Sequence, residues 1–90
     1  MPMQFITARQ LLDQGDVVVV VSDTQCNVRI FDDANFRAFT SGRRATYYGG
    51  FYRAFPASIT VPSTGYWNVV LDVGPGRSAN IRYSIRYITP

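Results

Sequence analysis

From Asn80 to Tyr87 the chain alternates without a break. Ile81, Tyr83, Ile85 and Tyr87 stand at every second position, interleaved with Asn80, Arg82, Ser84 and Arg86. A side-chain period of two belongs to an extended strand with one face buried and one wet, so this stretch commits the chain to a sheet. The same period recurs from Tyr66 to Val73, where Trp67, Val69, Leu71 and Val73 share a face opposite Tyr66, Asn68, Val70 and Asp72. Gly74-Pro75-Gly76 reads as a turn in the loop between the two strands.

Further strands follow from the same reasoning. Val17 to Val21 is a run of five β-branched residues, suited to a central strand buried on both faces. Cys26 to Phe31 alternates again, with Cys26, Val28 and Ile30 opposite Asn27 and Arg29, so Ser22 to Gln25 reads as a tight connection between adjacent antiparallel strands. Ala57 to Val61 is a short strand between Pro56 and Pro62, which places it at an edge. Gln4 to Arg9 fits another strand, although Thr7 also suits the cap of a helical turn through Leu11 and Leu12. One segment breaks the pattern. Asp32-Asp33, then Ala34, Phe36, Ala38 and Phe39, then Gly42 combine an acidic cap, helical spacing and a terminal glycine. They predict a short helix over about 32–41 that lays Phe36 and Phe39 on the sheet.

About six strands and one helix define a mostly β fold: a compact antiparallel β-sandwich or partly open barrel. Ninety residues form a single domain, 1–90, with one modest core, and 47% apolar content is ample to fill it. No secretory signal is apparent at Met1-Pro2-Met3-Gln4. The longest apolar run, Val17 to Val21, is far short of a bilayer span. The expectation is a cytoplasmic protein with no membrane partner.

Composition removes whole classes of chemistry. The chain has no His, no Lys and no Glu; its net charge of +3 comes from nine arginines and six aspartates. Histidine-based triads, Schiff-base lysines and the P-loop lysine are therefore excluded. Cys26 is the one cysteine, so there is no internal disulfide, and nothing cationic of the usual kind adjoins it to lower its pKa. Its alternating context marks a small buried apolar residue. Asp32 and Asp33 are simply explained as a helix cap and a charge at the positive helix end. Asp23 and Asp72 lack calcium-loop spacing. Gly49-Gly50 and Gly74-Pro75-Gly76 are turns rather than phosphate loops. No catalytic residue, metal site or cofactor is expected, and the chain reads as no enzyme.

The stretch from Arg43 to Phe55 stands apart. Arg43, Arg44 and Arg53 surround Tyr47, Tyr48, Phe51, Tyr52 and Phe55, with Gly49-Gly50 in the middle. Guanidinium groups beside aromatic rings stack on bases or grip a peptide, whereas a loop closing the end of a small core uses the same residues. Arg43, Arg44, Tyr47, Tyr48, Phe51, Tyr52 and Arg53 form the candidate binding surface. A second strip is Arg82 and Arg86, ~13 Å apart on one strand, with Arg29 joining from a neighbouring strand; a solvated face is the plainer reading. The partner is an unknown protein or small ligand. Nucleic acid is the alternative, and exposed edge strands leave a homo-oligomer open.

Several short motifs carry a resemblance. Gly15-Asp16-Val17-Val18-Val19-Val20, Ser22-Asp23-Thr24-Gln25-Cys26-Asn27-Val28, Tyr48-Gly49-Gly50-Phe51, Gly65-Tyr66-Trp67-Asn68-Val69 and Ala79-Asn80-Ile81-Arg82-Tyr83-Ser84 resemble a family of small bacterial β-rich proteins classed as a domain of unknown function. The resemblance covers nearly the whole chain. It implies a compact domain that occurs alone or joined to a Toll/interleukin receptor (TIR) domain. A sensing or recruiting role in bacterial signalling or defence follows by association.

Overall fold

Each alternating stretch becomes a strand, and the strands divide between two sheets. The computed structural model describes residues 5–74 and 80–90. Seven strands and a helix run in the order β1 (Ile6–Leu12), β2 (Val17–Ser22), β3 (Cys26–Asp32), α1 (Asp33–Thr40), β4 (Tyr48–Tyr52), β5 (Ala57–Thr60), β6 (Gly65–Asp72) and β7 (Tyr83–Ile88). A four-stranded sheet has the order β1-β6-β3-β4, and a three-stranded sheet the order β5-β2-β7. Pairing is antiparallel throughout. The two sheets form a sandwich, and no closed barrel is made.

The core lies between them. Cys26, Val28 and Ile30 of β3 and Trp67, Val69 and Leu71 of β6 meet Val18 and Val20 of β2 and Ala57 and Ile59 of β5. These are the alternating positions of each strand, as period two requires. Trp67 satisfies its indole by donating from Nε1 to the Ser63 carbonyl at 2.9 Å.

Several expectations need correction. β2 and β3 are not adjacent: β2 pairs with β5 and β7, and β3 with β4 and β6, so Ser22–Gln25 carries the chain from one sheet to the other. The chain changes sheet at every connection except the one through α1. A seventh strand, β4, lies inside the stretch read as a loop. Of the two readings of the segment around Thr7 the strand holds, pairing with β6 from Ile6 to Leu12, and no helical turn forms at Leu11 and Leu12. The terminal strand starts at Tyr83 rather than Asn80. Tyr83 itself is exposed, while Ile81, Ile85 and Tyr87 pack on the core. Within the valine run Val18, Val19 and Val20 are buried, but Val21 is exposed. The Gln4 end of β1 and most of the Gly74-Pro75-Gly76 turn lie outside the described residues.

The helix is built as its caps predict. Asp32 accepts from the Asn35 amide at 2.8 Å, and the Ser41 and Gly42 amides donate to the carbonyls of Arg37 and Phe39. Gly42 takes φ +74°, a conformation that suits glycine after a helix. The helix covers the outer face of the four-stranded sheet, where Phe31 of β3 stacks with Phe39 at 4.7 Å and meets Phe36 edge-on at 6.4 Å. Phe5 closes the cluster against both helical rings. Asn68 and Asp72 of β6 are 4% and 2% exposed despite sitting at the polar phase of the alternation: Asn68 donates to Asp33 at the start of the helix, and Asp72 lies against Asn27 and Arg29 of β3.

Candidate functional site

The register of β4 against β3 sorts the candidate residues by face. Tyr48 and Tyr52 lie opposite Ile30 and Cys26, which are core positions, whereas Phe51 lies opposite Asn27 on the outer face. Tyr48 meets the core indole of Trp67 edge-on at 6.0 Å. Tyr52 packs against the core beside Phe55. Tyr47, just before β4, sits on the outer side with its ring 5.6 Å from Phe31. Arg53 reaches over Phe51 at 5.9 Å. The structure therefore gathers Tyr47, Phe51 and Arg53 on one side, with Arg43 and Arg44 exposed in the connection that leads to them. Tyr48 and Tyr52 are directed to the other side.

The arrangement has a local cause. After Gly42 the Arg43 amide still donates to the Ala38 carbonyl at 2.8 Å, and the Thr46 amide donates to the Asn35 side chain at 2.8 Å. The connection is thus tied to the helix and returns along it toward the sheet. Gly49 then takes φ +114°. A Cβ there would stand 2.2 Å from the Val28 carbonyl oxygen and 2.9 Å from Ile59 of the opposite sheet, so only glycine lets β4 approach both. Tyr47, Tyr48 and Phe51 remain 44%, 44% and 52% exposed, which for rings of this size leaves a substantial apolar surface uncovered.

Charge is distributed unevenly. Between Asp33 and Asp72 the chain holds Arg37, Arg43, Arg44 and Arg53 and not one carboxylate. Among the described residues the ion pairs join Arg9 to Asp33 and Arg29 to Asp72; Arg37 lies close enough to Asp33 to help lower its pKa, whereas Arg43, Arg44 and Arg53 make no ion pair. The region around β4 is cationic as well as aromatic.

The remaining candidates are structurally engaged. Cys26 is fully buried, and that burial pushes its thiol pKa up, away from the thiolate. Asp33 accepts from the Arg9 guanidinium and from Asn68, which hold its carboxyl down at about 2. Asp23 is held below the ordinary carboxylate range, first by the Arg82 amide and then by the Thr24 hydroxyl. Arg29 does not join Arg82 and Arg86. It belongs to the other sheet and pairs with Asp72 beneath the helix, while Arg82 precedes β7 and Arg86 lies opposite Val19. Among the described residues no three acidic, histidine or cysteine groups converge as a metal cluster, and no helix is long and apolar enough to cross a membrane.

One feature of this surface escapes a reading of residue types alone. Arg29 supports Tyr47 from below, its guanidinium 5.2 Å from that ring and 4.9 Å from Phe39. Its place on the polar phase of β3 was visible, but the partner Asp72 is far away in sequence.

The fold and this geometry set the class as a small β-sandwich with a cationic aromatic edge. A family model described as a domain of unknown function, DUF1883, matches residues 3–89, and the chain belongs to that family. No curated protein and no solved structure matches it.

Proposed function

We propose that this chain is a non-enzymatic protein-interaction module whose contact surface is the outer side of β4 together with the α1–β4 connection. The observation that carries the reading is the exposure of Tyr47 and Phe51 beside Arg43, Arg44 and Arg53, which make no ion pair among the described residues. Aromatic and arginine side chains are the residue types that dominate binding energy at interfaces. The non-enzymatic part rests on the missing His, Lys and Glu and on the structural engagement of Cys26, Asp32, Asp33 and Asp72. The resemblance to bacterial proteins joined to TIR domains supports an accessory role in signalling or defence, carried out by recruitment.

The test is comparative affinity capture with the wild-type chain, Phe51→Ala and Arg53→Ala as baits, each checked for an unchanged fold by circular dichroism. The reading expects at least one protein enriched on the wild type and lost on both variants. Identical captured sets on all three baits contradict it.

A further inference from the structure

We infer that the partner offers an acidic, extended segment to this surface; the inference rests on the interaction-module reading and adds the chemistry of what is bound. Charge complementarity carries it. The thirty-eight residues between Asp33 and Asp72 contain four arginines and no carboxylate, and three of the four, Arg43, Arg44 and Arg53, make no ion pair among the described residues. Arginine presents a planar fork of donors suited to carboxylates. Leaving several such groups unpaired on one side of a small domain creates a field that attracts anionic partners and repels cationic ones.

The shape favours a strand-like segment. Among the described residues β4 is the edge of its sheet and pairs only with β3. From Tyr48 to Tyr52 it runs ~13 Å, a length that a few residues of extended peptide match. Phe51 supplies an apolar contact along that line, with Arg53 beside it and Arg43 and Arg44 toward the helix end.

The distribution of rings separates this partner from single-stranded nucleic acid. Base stacking uses several ring faces presented side by side. Here Tyr47 already has Phe31 and Arg29 against it, and Tyr48 and Tyr52 are turned to the opposite side. Phe51 is the most exposed ring on the outer side, and Arg53 already reaches over it, so no row of free ring faces is presented for stacking. Carboxylates need only the guanidinium groups.

Fluorescence polarisation with three labelled probes tests the inference on the full chain: a twelve-residue peptide alternating Glu with Thr, the same peptide with Lys for Glu, and a twelve-residue oligothymidylate. The acidic peptide is expected to bind. Its affinity should fall about tenfold in the triple variant Arg43→Ala/Arg44→Ala/Arg53→Ala, and fall again between about 50 and about 300 mM salt. The lysine peptide should not bind, and the oligonucleotide should bind more weakly than the acidic peptide. Three outcomes overturn the inference: no acidic-peptide binding at low salt, tighter binding of the oligonucleotide, or an affinity unchanged in the triple variant. If the capture experiment succeeds while the acidic peptide fails, the interaction surface stands and only the acidic chemistry is wrong.

Discussion

Arg29 and Asp72 form an ion pair on the outer face of the four-stranded sheet, with Asp72 2% exposed and the Arg29 side chain 15% exposed. The carboxylate also accepts from the Asn27 amide at 3.1 Å and from the Gly74 backbone amide at 2.9 Å. The guanidinium lies within 6 Å of the rings of Phe31, Phe39 and Tyr47. This pair anchors the surface from which Tyr47 emerges.

Removing one partner leaves the other charge buried without its counterpart. Arg29→Ala is expected to cost about 3–5 kcal/mol, a large share of the stability of a small domain. The double variant Arg29→Met/Asp72→Asn should recover part of that loss, because it buries no net charge. Urea denaturation of the three proteins measures both effects.

Adjacent glycines in β4 should respond differently to the same substitution. Gly49→Ala forces a side chain into positive φ and against the Val28 carbonyl, so a loss of roughly 2 kcal/mol or more is expected. Gly50→Ala meets nothing within 4 Å and should change the melting temperature little. Thermal melts of the two variants make the comparison.

The Asp33 carboxyl titrates at about 2 when folded, well below its ordinary value, because Arg9 and then Asn68 donate to it. A depressed folded pKa gives stability that is present above the unfolded pKa and is lost as pH falls through the folded one. Wild type should therefore exceed Asp33→Asn in stability above pH ~4, with the gap closing between ~4 and ~2. Since Asp33 and Arg9 are both solvent-accessible, added salt should narrow the gap too.

Cys26 should be silent in the native state. It is buried at the core end of β3, and burial raises its pKa. A thiol-reactive reporter at pH 8 is expected to label the chain only after denaturant is added. Rapid stoichiometric labelling of the folded protein would contradict this placement.

The parts of the fold that could be read from the sequence are those governed by local patterning. Trp67, Val69 and Leu71 alternate because one side of β6 faces the core, and Asp32 and Gly42 bracket α1 through capping chemistry. The sheet to which each strand belongs has no local signature: β2 and β3, only a few residues apart, lie in different sheets. β4 was hidden because Tyr47-Tyr48-Gly49-Gly50-Phe51-Tyr52 follows no clean period and its glycines mimic a turn. Asn68 and Asp72 look solvent-facing yet are buried, because the partners that cover them, Phe31, Asp33, Asn27 and Arg29, are distant in sequence. The candidate residues lie in one segment of sequence, but which of them share a face depends on the register with β3.

On the proposal above, this domain meets its partner at the outer side of β4. Backbone-amide NMR shifts recorded while the alternating Glu-Thr peptide is titrated into the labelled protein locate that contact directly. Saturable changes are expected, concentrated on Arg43, Arg44, Tyr47, Phe51 and Arg53. Changes concentrated instead on β2 and β7, with residues 43–53 unmoved, would contradict it.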